Sequence, residues 1–258
     1  MNRLLFNERT FVKEILETHD KSKVTVSMFQ LIQLLVIYFY QEMNYTDKGE
    51  LAKVVNRELE QFDYQGYFYE IYYKTINQVI KDVIRYDIKL KDITNVPIYK
   101  SEYDIIKSCG DNKHQKLLLT LYVMARWNND TSGWTSNKCK TLNIKKSANL
   151  NCTNRELDAL FHDLLVDGYI KTTFKADKFC YQMQSFETDK NQPIVLNFTS
   201  FDNLGNTYMA SKDNEHIICS CCGKLIRRTS PRMKYCKKCA EKIHREQDKK
   251  YHEAKRKV

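Results

Sequence analysis

The chain has 258 residues, 42% hydrophobic and 12% aromatic, with only seven glycines and three prolines, which excludes a disordered or fibrous polymer and favours helix-rich globular units. Its formal charge of +10 is confined to one end: residues 219–258 hold 14 Lys and Arg against 4 Asp and Glu, and the rest is neutral. A polyanionic partner is therefore expected to meet the carboxyl end first.

At the amino terminus, Arg3, Glu8 and Arg9 stand with no long apolar stretch behind them, so a secretory signal is not expected. The longest apolar run, residues 28–40, is interrupted by Gln30 and Gln33 and falls short of the ~20 residues that cross a bilayer. We expect a cytoplasmic chain with no membrane partner. In a reducing compartment its nine cysteines do not read as a disulfide framework. Cys109, Cys139, Cys152 and Cys180 read as small buried hydrophobes, and the other five lie within residues 219–239.

In chain order, Ser27 precedes Leu31, Leu34, Leu35 and Tyr38 at helical spacing, and Asp47 precedes Leu51, Val54, Val55 and Leu59. A third helix is expected over residues 67–86, with Ile71, Tyr72, Ile76, Val79, Ile80 and Val83 as its apolar stripe. The aromatic cluster Tyr67, Phe68, Tyr69, Tyr72 and Tyr73 contains Glu70 and little positive charge, so it reads as core rather than as a platform for bases. Residues 1–110 are thus expected to form a helical bundle, closed by an extended segment around Pro97 and a short helix capped by Ser101. A longer helix follows Asp111 and carries Leu117, Leu118, Leu121, Tyr122, Met124 and Ala125 towards Trp127.

Residues 111–200 have the order of a winged helix-turn-helix. A basic helix over residues 137–148 leads into a polar turn at Asn149, Asn151 and Cys152. Thr153 and Glu156 form a capping box, and Leu157, Leu160, Phe161, Leu164 and Leu165 follow on one face until Gly168. Two β-prone runs, 169–174 and 179–184, then make the wing. Contact with double-stranded DNA is expected from Lys138, Lys140, Lys145 and Lys146 on the first helix, Asn154 and Arg155 on the second, and Lys171, Lys175 and Lys178 in the wing. Asp158, Asp163 and Asp167 on the second helix oppose that reading and favour a protein-docking face as the alternative.

Residues 201–258 read as a linker and a basic four-cysteine zinc module of knuckle, β-hairpin and helix. Cys219 and Cys222, followed by Gly223, repeat their spacing at Cys236 and Cys239, and two such pairs can set four thiolates tetrahedrally around Zn²⁺. The hairpin strands are expected at 225–228 and 233–235, turning at Ser230 and Pro231, and the second pair opens a terminal helix whose dipole favours thiolate. Cys221 stays outside the ligand set, because with Cys222 it would form a strained adjacent pair. Four protein ligands leave no position for activating water, so the metal is expected to be structural. Arg227, Arg228, Arg232, Lys234, Lys237, Lys238 and Arg245 exceed what balances one such site and are expected to contact phosphate. No nucleophile, carboxylate cluster or phosphate loop has persuasive spacing, so neither an enzyme nor a small-molecule substrate is expected.

The stretch CSCCGKLIRRTSPRMKYCKKCAEKIHRE, from Cys219 to Glu246, resembles the closing module of a group of uncharacterised phage and prophage proteins of Gram-positive bacteria, which end in CxxCG, a basic hairpin and YCxxCAxxINRE. The resemblance continues upstream through FDNLG at 201–205, LDALFHDLLVDGYI at 157–170 and LLLTLYVMARWNN at 117–129. This chain departs from it at His244, where asparagine is expected, and by the additional Cys221. The resemblance implies a mobile-element protein that works on DNA in a bacterial host cell, and with the basic module and the winged-helix order a regulator or replication organiser is expected. A factor docking on host nucleic-acid machinery is the alternative.

Overall fold

The computed structural model describes residues 5–62, 67–128, 134–136, 141–175, 178–187, 191–212 and 215–255, with backbone alone at 134–136, 141–143, 173–175, 178–180 and 250–255. Within them the chain is mainly α-helical with small sheets, in two compact units, Met1–Thr94 and Asn95–Val258.

The first unit is a bundle of α1 (Glu8–Thr18), α2 (Met28–Gln41), α3 (Lys48–Gln61) and α4 (Tyr69–Tyr86), with a single 3₁₀ turn at Lys21–Lys23. Polar side chains start three of these helices by accepting an otherwise orphaned N–H: Asn7 from Thr10 at 2.8 Å, Ser27 from Gln30 at 3.3 Å and Asp47 from Glu50 at 2.8 Å. Helix α2 is central. Leu31, Ile32, Leu34, Leu35, Val36 and Ile37 are all buried, so it is apolar around most of its circumference, whereas α3 and α4 each bury one stripe. Each such side chain taken from water contributes about 1.5–3 kcal/mol before entropy is counted. The stripe of α4 starts at Ile76 rather than at Ile71, which is exposed. The aromatic cluster divides in the same way: Tyr67, Tyr69 and Tyr72 pack on the core, with Tyr67 and Tyr72 stacked at 5.5 Å, while Phe68 and Tyr73 face outward.

The second unit opens with β1 (Val96–Tyr99), α5 (Lys100–Ser108) and α6 (Asn112–Trp127). The unit begins at Asn95 rather than after residue 110, because β1 pairs antiparallel with β5 (Ile194–Phe198), Val96 opposite Phe198. Ser101 does not cap α5. Tyr99 holds that position, the buried Glu102 carboxylate accepts its N–H at 3.2 Å, and Ser101 Oγ donates to Glu187 instead. Glu102 also accepts from Arg126 at 2.7 Å and from the Glu187 N–H at 3.0 Å. The Arg126 guanidinium lies over the Tyr99 and Phe186 rings, at 4.6 and 4.5 Å, which gives this desolvated cation stacking partners.

Helix α6 is the hub, with every residue from Leu117 to Ala125 buried. Around it follow β2 (Trp134–Ser136), α7 (Thr141–Ser147), α8 (Asn154–Val166), β3 (Ile170–Lys175), β4 (Lys178–Met183) and α9 (Leu204–Lys212). Strands β3 and β4 form a hairpin, and β2 adds to it in the order β2-β4-β3. The capping box on α8 is present, with Glu156 accepting the Thr153 N–H at 2.6 Å and Thr153 Oγ1 accepting the Glu156 N–H at 3.2 Å. Gly168, at φ +76°, ends α8 in the left-handed region where an L side chain is strained. Phe161 stacks on Tyr181 at 4.5 Å and so fastens α8 to the hairpin.

Candidate metal centre

The carboxyl-terminal elements are β6 (His216–Ile218), β7 (Leu225–Arg227) and α10 (Lys237–Lys255). The hairpin is not the expected one. β7 pairs with β6, upstream of it, with Ile217 opposite Ile226, while residues 233–235 form no strand. The reason lies in the knuckle: Cys219 N–H donates to Lys224 O at 2.8 Å and Gly223 N–H to Cys219 O at 2.9 Å, so residues 219–224 are themselves the turn of the hairpin. The Ser230–Pro231 turn instead returns the chain so that Ser220 N–H reaches Lys234 O at 2.9 Å. Gly223 has φ +67°, as a tight knuckle demands. Cys236 stands immediately before α10 and Cys239 in its first turn, where the helix dipole favours negative sulfur.

These four residues, and not Cys221, bring their sulfurs within 4.8 Å of one another. The donor set and its spacing make a potential metal-binding site, and the chemistry suggests zinc. A tetrahedron with metal–sulfur bonds of about 2.3 Å has edges of about 3.8 Å. Cys222 Sγ and Cys236 Sγ lie 3.8 Å apart. The backbone is already arranged for thiolate: burial pushes the Cys219 thiol up, but N–H groups of Cys236, Cys222 and Cys221 directed at its sulfur outweigh that and bring it down to about 6. The same crowding works the other way at Cys239, which the neighbouring thiols of Cys236, Cys221 and Cys222 hold well above the usual range. One thiolate forms readily here, and a set of four needs a cation among them. Cys219 is buried, whereas Cys221 and Cys222 are exposed, so the site lies at the surface with one sulfur anchored inward.

The basic residues fall into two groups within this unit. Arg227, Arg228, Arg232, Lys234, Lys237, Lys238 and Arg245 are all exposed around the cysteines. Arg227 reaches Glu215 at 3.6 Å and Arg245 reaches Glu241 at 3.9 Å, both loose surface pairs of small net worth. The other group surrounds the α7–α8 turn, where Lys146, Asn154 and Arg155 are exposed and Lys145 donates to Asn154 Oδ1 at 3.3 Å. Lys171 is exposed on β3, and Lys175 stands opposite Lys178 at the end of the β3–β4 ladder. Lys138 and Lys140 lie outside the described residues. An open groove separates Lys146 and Asn149 at this turn from the knuckle residues Ser220 to Gly223. The outer face of α8 carries exposed Asp158, Asp163, Val166 and Asp167, so it is acidic and partly apolar.

Between the knuckle and the α7–α8 turn stands a set of residues that residue-type reasoning passed over. Asn206 donates from Nδ2 to Gly223 O at 3.1 Å and from its backbone N–H to Asn149 Oδ1 at 3.0 Å, and Asn149 Nδ2 donates to Asn203 Oδ1 at 3.2 Å. The available signal was two asparagines where the chain turns before a helix, since Asn149 and Asn203 have φ of 52° and 61°.

No helix among the described residues is long and apolar enough to cross a membrane. Comparison with protein-family models, with curated proteins and with solved structures finds no match.

Proposed function

We propose that this chain is a zinc-stabilised protein of a phage or other mobile element that binds duplex DNA, as a regulator or replication organiser, with no catalytic activity of its own. The observation that carries this reading is the confinement of the whole net charge to a module built around four sulfurs within 4.8 Å of one another. Bound Zn²⁺ would cross-link the four thiolates and offset part of their negative charge, with nearby Lys and Arg balancing the rest. Cys219, Cys222, Cys236 and Cys239 would hold it, and the hairpin and the first turn of α10 would be fixed by it. The exposed arginines and lysines around it then form a cationic surface suited to phosphate.

The order α6, β2, α7, α8, β3, β4, with strand order β2-β4-β3, supports assigning residues 111–200 as a winged helix. In that reading Lys145, Lys146, Asn154 and Arg155 meet the duplex at the turn, and Lys171, Lys175 and Lys178 meet it through the wing. Asp158, Asp163 and Asp167 keep the middle of α8 away from phosphate, so contact is concentrated at the amino-terminal end of that helix. The same acidic face, with Val166 70% exposed, favours a second reading in which α8 docks a protein of the host nucleic-acid machinery.

Elemental analysis paired with an electrophoretic shift tests the proposal. The purified chain is expected to carry one zinc and to retard random duplex fragments at low salt. The double substitution Lys145→Ala with Lys146→Ala is expected to weaken binding further in a chain already shortened by residues 219–258. A zinc-loaded chain that leaves duplex unretarded defeats the DNA reading and favours protein docking.

A further inference from the structure

We propose that the cysteine knuckle fixes the turn between α7 and α8, and that Asn206 is the positioning residue through which it does so. The inference rests on the metal-binding reading above and adds to it a route from the metal site to a surface that the metal does not touch.

The route is short and polar. Gly223 follows the ligand Cys222, and its carbonyl accepts the Asn206 amide at 3.1 Å. One residue then serves both sides, because the Asn206 N–H donates to Asn149 Oδ1 at 3.0 Å. Asn149 occupies the α7–α8 turn with left-handed backbone, and its side chain is held from the other direction by Asn203. The fit leaves no slack. A Cβ on Gly223 would come within 1.9 Å of Asn203 Nδ2, and one on Gly205 would come within 2.0 Å of the Ala148 carbonyl oxygen. At its far end α9 is fastened to the hub helix, where Tyr208 Oη donates to Gln115 Oε1 at 3.0 Å and Lys212 Nζ reaches the same oxygen at 2.7 Å. Helix α9 is therefore a fixed strut with the turn on one side and the knuckle on the other.

The knuckle is the member of this assembly that needs outside support. Of the residues from Cys219 to Lys224 only Cys219 is buried, and a segment with so little apolar packing is ordered by cross-linking its sulfurs. When the sulfurs are joined, the Gly223 carbonyl stays where Asn206 can reach it, and Asn206 keeps its N–H on Asn149. When they are released, Asn206 loses an acceptor and the turn loses one side of its frame. Coupling of this kind is reciprocal, so a turn held by DNA would also retain metal more tightly. The consequence for binding is geometric, since Lys145, Lys146, Asn154 and Arg155 flank this turn.

Hydrogen exchange on the full chain tests it. The amides of Ala148, Asn149 and Leu150 donate to Ile144 O, Lys146 O and Lys145 O and report directly on the turn. In the zinc-loaded protein they are expected to exchange roughly fivefold or more slowly than after chelation, the scale of one net hydrogen bond. Asn206→Ala is expected to bind one zinc, to keep its α6 amides protected, and to exchange at the turn equally fast with and without metal. Asn206→Gln retains an amide donor and is expected to recover part of the metal dependence. A merely structural role would instead speed exchange by the same factor in both states. Asn149→Gly, which suits the left-handed backbone, is a second decoupling variant should Asn206→Ala fold poorly. Turn amides indifferent to chelation in a chain that does bind zinc overturn the inference and leave the metal reading standing. A chain that binds no zinc overturns both.

Discussion

Among individual residues, His114 joins two helices of the second unit. Its ring nitrogens lie 2.8 Å from Asp111 Oδ1 and 3.1 Å from Asp163 Oδ2, which ties the start of α6 to α8. Partial burial lowers its pKa, but the hydrogen bonds to Asp111 and Asp163 outweigh that, and the net shift is upward from 6.5. A raised folded-state value means that the stabilisation is complete below the unfolded value and is lost as pH climbs through the folded one. Replacing Asp163 with Asn is therefore expected to lower stability by about 0.5 kcal/mol at pH near 5.5 and by much less near pH 8.5, the figure being small because Asp163 is half exposed. Urea midpoints of the two proteins at each pH measure this, and equal losses at both would contradict it. The four cysteines were legible because metal chemistry imposes both residue type and spacing. Asn203 and Asn206 were not, because their roles depend on a carbonyl at Gly223 and a side chain at Asn149 that only the fold brings near.

For the secondary-structure elements, legibility followed the range of the interactions that make each one. Helices α2, α3 and α8 combine a side-chain cap with an apolar period inside one short window, and each stands where those signals lie. Strand β5 carries no such local mark, since its partner β1 lies about a hundred residues earlier. The hairpin of the cysteine module was assigned to the wrong partner for a related reason. Residues 233–235 alternate well enough for a strand, but β7 pairs with β6 across the knuckle and Lys234 O accepts from the Ser220 N–H instead. Helix α8 offers a direct check at this scale. Thr153→Ala removes the hydroxyl that accepts the Glu156 N–H and is expected to cost about 1 kcal/mol, read as a lowered thermal midpoint. A loss below about 0.3 kcal/mol would mean that packing of Leu157, Phe161 and Leu164 sets the start of this helix unaided.

Across the whole molecule, charge and core are segregated. The first unit buries a continuous apolar interior and is nearly free of excess charge, while the cationic residues gather where apolar burial is scarcest. Little apolar packing holds such a surface in shape, and a sulfur-bound metal with the α9 strut would supply that order in the proposed function. The most direct measurement is the salt dependence of duplex affinity, by fluorescence anisotropy with a labelled random-sequence fragment and zinc-loaded full-length chain. Between about 50 and 200 mM salt, log K is expected to fall linearly against log salt with a slope of about −4 or steeper, as at least four phosphates shed their counterions, and to flatten once residues 219–258 are removed. A zinc-loaded chain that shows no binding at the low-salt end, or binding with no slope, would contradict it.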